Sequence, residues 1–313
     1  MPEQGLIARL GVTVVAVLAL SGGPAAQAPP ATFSASSELV VLHVAVTDQR
    51  GRPVTTLPPS AFQVMADGHS RPVRFASRAD GPATVGLVVD GSGSMWTLRE
   101  RAVDAVAAFA GAGRPDDEFF GLVFHDTVQP VLPPDAPFTA DPRVLESSFR
   151  RALQARGRTA LYDGVDQGLR YAARGTRQRK VLVVVSDGGD NASQATLADL
   201  EQRAQSSNVT IYVVELKDDT SPWRERARGS RDGLSQLVTR TGGLLIPPVK
   251  ASRLVEGLRR VADEIHSAYL LGFEPAPGAS DGQLHAVRVT AADAAGRRLQ
   301  VQSRTAYRAG AAP

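Results

Sequence analysis

The stretch Thr84-Val85-Gly86-Leu87-Val88-Val89-Asp90-Gly91-Ser92-Gly93-Ser94 decides the fold. Its first six residues carry no charge and read as a strand buried on both faces. Its last five switch abruptly to an acid followed by alternating Gly and Ser. A second stretch repeats the arrangement: Lys180-Val181-Leu182-Val183-Val184-Val185 runs into Ser186-Asp187-Gly188-Gly189-Asp190. Further strands are expected at 118–124, near 128–132 as an edge, at 210–214 and at 244–246. Helical patterns fall at 99–110, 143–154, 161–173, 197–205, 233–239 and 252–267. Strands that are apolar throughout, separated by helices, call for a mostly parallel sheet covered on both faces. Residues 83–266 are therefore expected to form a doubly wound α/β domain.

Outward from this centre the period changes. Within 38–80, Leu39 to Val46 is β-branched and apolar, Asp48 to Pro53 is a turn, and Phe62-Gln63-Val64-Met65 alternates. Asp67-Gly68 is a hairpin-turn signal, and Pro72-Val73-Arg74-Phe75 follows it. Within 268–308, Ala268–Phe273, Leu284–Thr290 and Leu299–Arg304 show period-two character, with Gly and Asp turns between them. About forty residues at either end bury too little alone. The two ends are expected to combine into one small β-sandwich beside the α/β domain, leaving 309–313 as a tail. At the other extreme, Arg9 precedes the apolar run Leu10 to Leu20, and Ala26-Gln27-Ala28 supplies a small-x-small site. This pattern reads as a signal peptide over 1–28, cleaved between Ala26 and Pro29, with 29–37 as a linker; the alternative is an uncleaved anchor, through which alone the chain would contact a membrane. The run is shorter than the roughly 20 residues a bilayer span needs. The mature chain is thus expected outside the cytoplasm, secreted or periplasmic.

The whole chain has 313 residues, 43% hydrophobic and 21% charged, which is the composition of a globular protein. Its formal charge is +3, and 5% of its residues are aromatic. No Lys/Arg block stands out, so neither a DNA-binding arm nor a single-strand stacking platform is indicated. No nucleic-acid partner is expected. There is no Cys, which excludes disulfides and thiolate metal sites. The five His, at 43, 69, 125, 266 and 285, are scattered and form no ligand-spaced pair.

In doubly wound sheets, ligands sit beyond the C-terminal strand ends where strand order reverses. Asp90–Ser94 and Ser186–Asp190 both follow strand ends, and Gly157-Arg158-Thr159-Ala160-Leu161-Tyr162-Asp163 opens a helix between them. Hard divalent cations take oxygen ligands, and Mg²⁺ takes six in an octahedron. Asp90, Ser92 and Ser94, at i, i+2 and i+4, turn three side-chain oxygens to one point if the loop curves tightly, which Gly91 and Gly93 permit. Thr159 and Asp187 supply further oxygens. Two carboxylates with neutral hydroxyls leave the ion partly uncompensated and open to an external carboxylate. A phosphate-binding loop is excluded because no Gly-Lys-Ser/Thr follows. A hydrolase elbow would need Gly two residues before and after the Ser, and neither Ser92 nor Ser94 has that.

The Asp-x-Ser-x-Ser, Thr and Asp set resembles the metal-ion-dependent adhesion site of von Willebrand factor type A domains, in order, in spacing and in placement on the first and fourth strands. The likeness covers about residues 83–266. The flanks, notably Val46-Thr47-Asp48 with Gly51 and Tyr269-Leu270-Leu271-Gly272-Phe273, are similar to a subgroup of secreted bacterial proteins with this domain. The resemblance implies a Rossmann-like fold and a non-enzymatic interaction module. It implies that Ser92 and Ser94 bind Mg²⁺ (or Mn²⁺ or Ca²⁺) directly, that Thr159 binds directly in a ligand-engaged state, and that Asp90 and Asp187 act directly or through waters. The expected partner is a protein offering an Asp or Glu carboxylate, not a small-molecule substrate. Trp96, Trp223 and Arg224, with Arg226 and Arg228 in the same loop as Trp223, are expected to form a partner-binding rim. Two other readings stand beside this one: an ion that only rigidifies an envelope-assembly protein, and a hydrolase using metal-bound water.

Overall fold

The computed structural model describes residues 39–217, 228–279 and 281–309. The expected signal peptide and linker lie outside the described residues. The chain starts with β1 (Val40–Thr47), β2 (Phe62–Ala66), β3 (His69–Arg71) and β4 (Val73–Arg78). The α/β part follows as β5 (Ala83–Asp90), α1 (Arg99–Gly111), β6 (Glu118–Phe124), β7 (Val128–Pro130), α2 (Pro142–Ala152) and α3 (Leu161–Arg174). It continues as β8 (Arg179–Ser186), α4 (Leu197–Ser206), β9 (Val209–Lys217), α5 (Arg228–Thr241), β10 (Leu245–Lys250) and α6 (Leu254–Ser267). The chain closes with β11 (Tyr269–Phe273), β12 (His285–Ala291), β13 (Gln300–Ser303) and β14 (Ala306–Tyr307).

Among the described residues the central sheet runs β10-β9-β8-β5-β6-β7. All its pairings are parallel except β6 with β7. Successive side chains of a strand point to opposite faces, and the apolar strands fill two layers accordingly. Val85, Leu87 and Val89 of β5, with Val181, Val183 and Val185 of β8, pack against α1, α2 and α6. Val88, Leu182 and Val184 pack against α3, α4 and α5. This is the mixed α/β fold with a mostly parallel sheet that the period analysis expects. Strand order reverses at β5, which lies between β6 and β8, so the crevice for a ligand opens at the C-terminal ends of β5 and β8.

The two chain ends interleave in two antiparallel sheets, β13-β1-β11-β4 and β14-β12-β2-β3. Val40 stands opposite Phe273 and Val64 opposite Val289, and Leu42, Val44, Leu271 and Tyr307 fill the layer between the sheets. One detail departs from the sequence reading. Asp67 and Gly68 both take positive φ, 49° and 78°, as a two-residue hairpin turn requires. However, the returning strand is the short β3, and the Val73–Arg78 segment pairs with β11 in the other sheet. Pro72 has no N–H to donate, so the ladder stops there and the chain crosses between sheets. Among the described residues, no helix is long and apolar enough to cross a membrane.

The sandwich meets the central sheet at the N-terminal ends of its strands. Ala79 donates its N–H to Ala268 at 2.8 Å, and Arg304 binds Asn208 Oδ1 at 2.7 Å and the Ser207 carbonyl at 2.8 Å. The Arg179 guanidinium, at the start of β8, reaches the Ala79 and Ile265 carbonyls. The opposite, C-terminal pole is left to the loops.

Candidate metal centre

Asp90 is the last residue of β5 and is almost wholly buried, at 1% exposure. Its Oδ1 accepts the Ser92 N–H at 2.8 Å, and its Oδ2 accepts the Ser186 hydroxyl at 2.7 Å. The carboxylate is therefore locked at both oxygens. Burial first, then the negative charge of Asp187, raises its pKa well above the usual carboxylate range. A group so placed favours a cation beside it.

The loop after Asp90 closes on itself. Ser92 Oγ and Ser94 Oγ lie 3.0 Å apart, Ser92 buried and Ser94 half-buried. Neither Gly91 nor Gly93 takes a positive φ. Gly91 is required for space: a Cβ there would lie 2.8 Å from Val123 Cγ1, while its N–H binds the Phe124 carbonyl at 2.8 Å. A Cβ at Gly93 would meet only the Gly157 carbonyl, at an ordinary 3.7 Å. The curvature assigned to the two glycines thus belongs to a close packing contact at one of them.

Thr159 is buried at 6% exposure and comes from the loop before α3. Three neighbouring loops hold it. The Gly93 N–H binds the Gly157 carbonyl at 3.0 Å, and the Ala160 N–H binds the His125 carbonyl at 2.8 Å. The Thr159 N–H binds Asn191 Oδ1 at 2.8 Å, while its carbonyl accepts from Asn191 and Ala192 at 2.9 and 3.1 Å. Asp126 accepts from the Arg158 Nε at 2.7 Å and closes the same loop from another side. Asp187 is half-buried just beyond β8 and accepts the Gly189 N–H at 3.3 Å.

The structure thus gathers Asp90, Ser92 and Ser94 in one loop, and its hydrogen bonds knit the Thr159 and Asp187 loops around it. The donor chemistry suits a hard divalent ion: hydroxyls and carboxylates, with no sulfur and no imidazole among the five. Among the described residues, no cluster of three or more His, Cys, Asp or Glu gathers to hold a metal. The donor set here is largely hydroxyl.

Residues 85–232 match the family model for the von Willebrand factor type A domain. The chain carries a von Willebrand factor type A domain. A solved type A protein from Catenulispora acidiphila has 16% identity over 88% of this chain and 75% of that one, with a TM-score of 0.50. Proximal thread matrix protein 1 of the mussel byssus, in a structure with a zinc-occupied adhesion motif, has 16% identity over 59% of this chain and 48% of that one, with a TM-score of 0.46. The type A domain of the type V pilus tip protein Mfa5 from Porphyromonas gingivalis has 14% identity over 59% and 95%, with a TM-score of 0.45. Likeness at these identities speaks to the fold alone. Among curated proteins, none matches the sequence.

In the type A domain of this chain, several residues of the quoted motifs have supporting partners that their spacing does not announce. Ser186 bridges Asp90 and the Gly188 N–H, which lies 3.1 Å from its Oγ. Asp163 and Asp190 serve structure: Asp163 accepts from Gln194 and Ala195, and Asp190 accepts from Tyr162 and Ser193. Trp96 stands in the 3₁₀ turn after Ser94, with the guanidiniums of Arg99 and Arg156 centred 3.9 and 3.7 Å from its ring. Both guanidiniums lie within cation–π distance of the ring. Trp223, Arg224 and Arg226 lie outside the described residues, and of Arg228 only the backbone at the start of α5 is described.

Proposed function

We propose that the type A domain is a non-catalytic binding module. It holds Mg²⁺, or Mn²⁺ or Ca²⁺ in its place, and through the ion it captures an acidic side chain of a partner protein. The observation that carries this reading is the pair Ser92 Oγ and Ser94 Oγ, 3.0 Å apart beside buried Asp90. The two hydroxyls share a hydrogen bond at this separation, which is also close to the roughly 2.9 Å edge of a Mg²⁺ octahedron, so both can reach one ion. Ser92 and Ser94 are assigned as direct ligands, and Thr159 as a ligand when a partner is engaged. Asp90 already spends one lone pair of each oxygen on protein donors, so it and Asp187 supply charge directly or through water. The bound ion supplies one thing, a positive centre with room for an external carboxylate. Arg99 and Arg156 at the Trp96 ring, two residues on from Ser94, favour the same acidic partner.

The purely structural reading is weaker. The loops are already joined by Gly93–Gly157 and Thr159–Asn191 hydrogen bonds, so rigidity does not need an ion. A hydrolytic reading lacks a free base at His125, whose Nδ1 accepts the Asp126 N–H at 2.9 Å. The extracytoplasmic location, secreted or periplasmic, rests on the signal-like sequence of residues 9–28.

Titration calorimetry with Mg²⁺ and Mn²⁺, followed by capture of glutamate-rich and glutamine-rich peptides on the immobilised chain, tests this directly. Metal binding with metal-dependent, glutamate-selective capture is expected. Metal binding without capture would leave only the structural reading, and no metal binding would end both.

A further inference from the structure

The sandwich and the central sheet do not touch everywhere along their junction. A cavity of about 480 Å³ remains between them, within the range of small-molecule pockets. It lies at the pole opposite Asp90. Its walls are of two kinds. The outer face of the β13-β1-β11-β4 sheet contributes Val41, Phe75 and Leu270, with His43 among them. Arg177 and Arg179 face it from the segment entering β8, and Arg304 from the chain just after β13.

The positive charges at this cavity are only partly compensated. No Asp or Glu lines it. Arg304 spends its terminal nitrogens on Asn208 and the Ser207 carbonyl, and Arg179 spends its own on two backbone carbonyls; all four partners are neutral. Asp117 and Glu264 act on Arg179 from outside the walls, and Glu118 accepts the Arg177 backbone N–H at 3.4 Å, but among the described residues no carboxylate hydrogen-bonds the Arg177 or Arg304 guanidinium. Arg177 Nε, Arg304 Nε and His43 Nδ1 are buried and have no hydrogen-bond partner. Burial, and then the Arg179 and Arg304 charges, hold His43 down at about 3. The ring is thus a neutral group in a positive field. Buried donors without partners cost stability, and buried cations without counter-charge cost more.

We propose that this junction cavity binds a small organic anion, with its carboxylate head among Arg177, Arg304 and His43 and its apolar body against Val41, Phe75 and Leu270. The head supplies acceptors to the unpartnered donors and a counter-charge to the arginines. The apolar walls favour a hydrocarbon body over an inorganic anion, which would leave them wetted. The site is independent of the adhesion site at the other pole.

The test is titration calorimetry on the full chain with decanoate, 4-phenylbutyrate, decan-1-ol and sulfate. At least one of the two carboxylates should bind at a single site, with the alcohol and sulfate far weaker. Two variants locate the site: Arg177→Gln should weaken carboxylate binding roughly tenfold, the worth of one charge-assisted hydrogen bond, and Val41→Trp should abolish it by filling the apolar side. Circular dichroism checks that both fold. The proposal is overturned if neither carboxylate binds, if decan-1-ol binds as tightly as decanoate, if sulfate binds and the carboxylates do not, or if both folded variants bind like the parent. The wild-type comparison of decanoate with its alcohol and with sulfate decides the matter even if a variant does not fold.

Discussion

The two poles of the central sheet bury charge in opposite ways. At the C-terminal pole a buried carboxylate, Asp90, is ringed by hydroxyls and backbone N–H groups on short loops. At the N-terminal pole the buried Arg179 and the half-buried Arg304 bind backbone carbonyls beneath a β-sandwich. The first arrangement collects oxygens around negative charge, as the proposed cation site requires. The second collects positive charge under a covering layer. The parallel sheet separates them, so a change at one end should leave the other alone unless the loops and the sandwich are coupled through the strands.

The largest expected effect tests that separation from the sandwich side. Gly242 has φ +78°, and a Cβ there would lie 2.4 Å from the Arg304 nitrogen and 2.5 Å from the Ser303 carbonyl carbon. Backbone atoms cannot step aside, so Gly242→Ala is expected to cost about 3 kcal/mol in urea unfolding. Its Mg²⁺ affinity by calorimetry should be unchanged. A parallel fall in affinity would mean that the poles are coupled.

Next, Asp90→Asn keeps the shape of the side chain and removes its charge. Mg²⁺ affinity is expected to drop about 100-fold or more, with the circular dichroism spectrum preserved. Retention of wild-type affinity would remove Asp90 from the site. Ser186→Ala is a subtler probe of the same pole. It frees the Asp90 Oδ2 and the Gly188 N–H together, and about a tenfold loss of Mg²⁺ affinity is expected, in the range of supporting-residue effects at metal sites.

The smallest effect concerns pH at the sandwich side. Burial raises Glu264 to about 7 from an ordinary value of 4.5, against the opposing Tyr212 hydrogen bond and the Arg260 and Arg179 charges. The folded state therefore holds this proton more tightly than the unfolded chain. Its contribution is fully present below about pH 4.5 and is lost as pH rises through about 7. Relative to Glu264→Gln, the wild type should lose on the order of 1 kcal/mol between pH 5 and 8. A thermal-melting difference that is flat with pH, or of opposite sign, would contradict the burial.

The sequence alone determined the layering of this protein. Runs such as Val85–Val89 and Val181–Val185 lack polar positions, and only a sheet covered on both faces tolerates that. Alternation in Phe62–Met65 and Leu284–Thr290 marked the antiparallel ends for the same reason: side-chain period reports which faces leave water. The Asp90–Ser92–Ser94 spacing was equally legible, because i, i+2 and i+4 lie within one loop and need no distant partner to be noticed. Tertiary structure decided what stands around them. Ser186, Gly157, Asn191 and Arg156 brace the candidate site through contacts between loops far apart in the chain, which no local period encodes. The switch of sheets at Pro72 depended on β11 being present to receive β4. The meeting of His43, Arg179 and Arg304 at one cavity required the two chain ends to fold back over the start of β8. Hydrophobic periodicity states that a residue is buried, and only the assembled chain states against what.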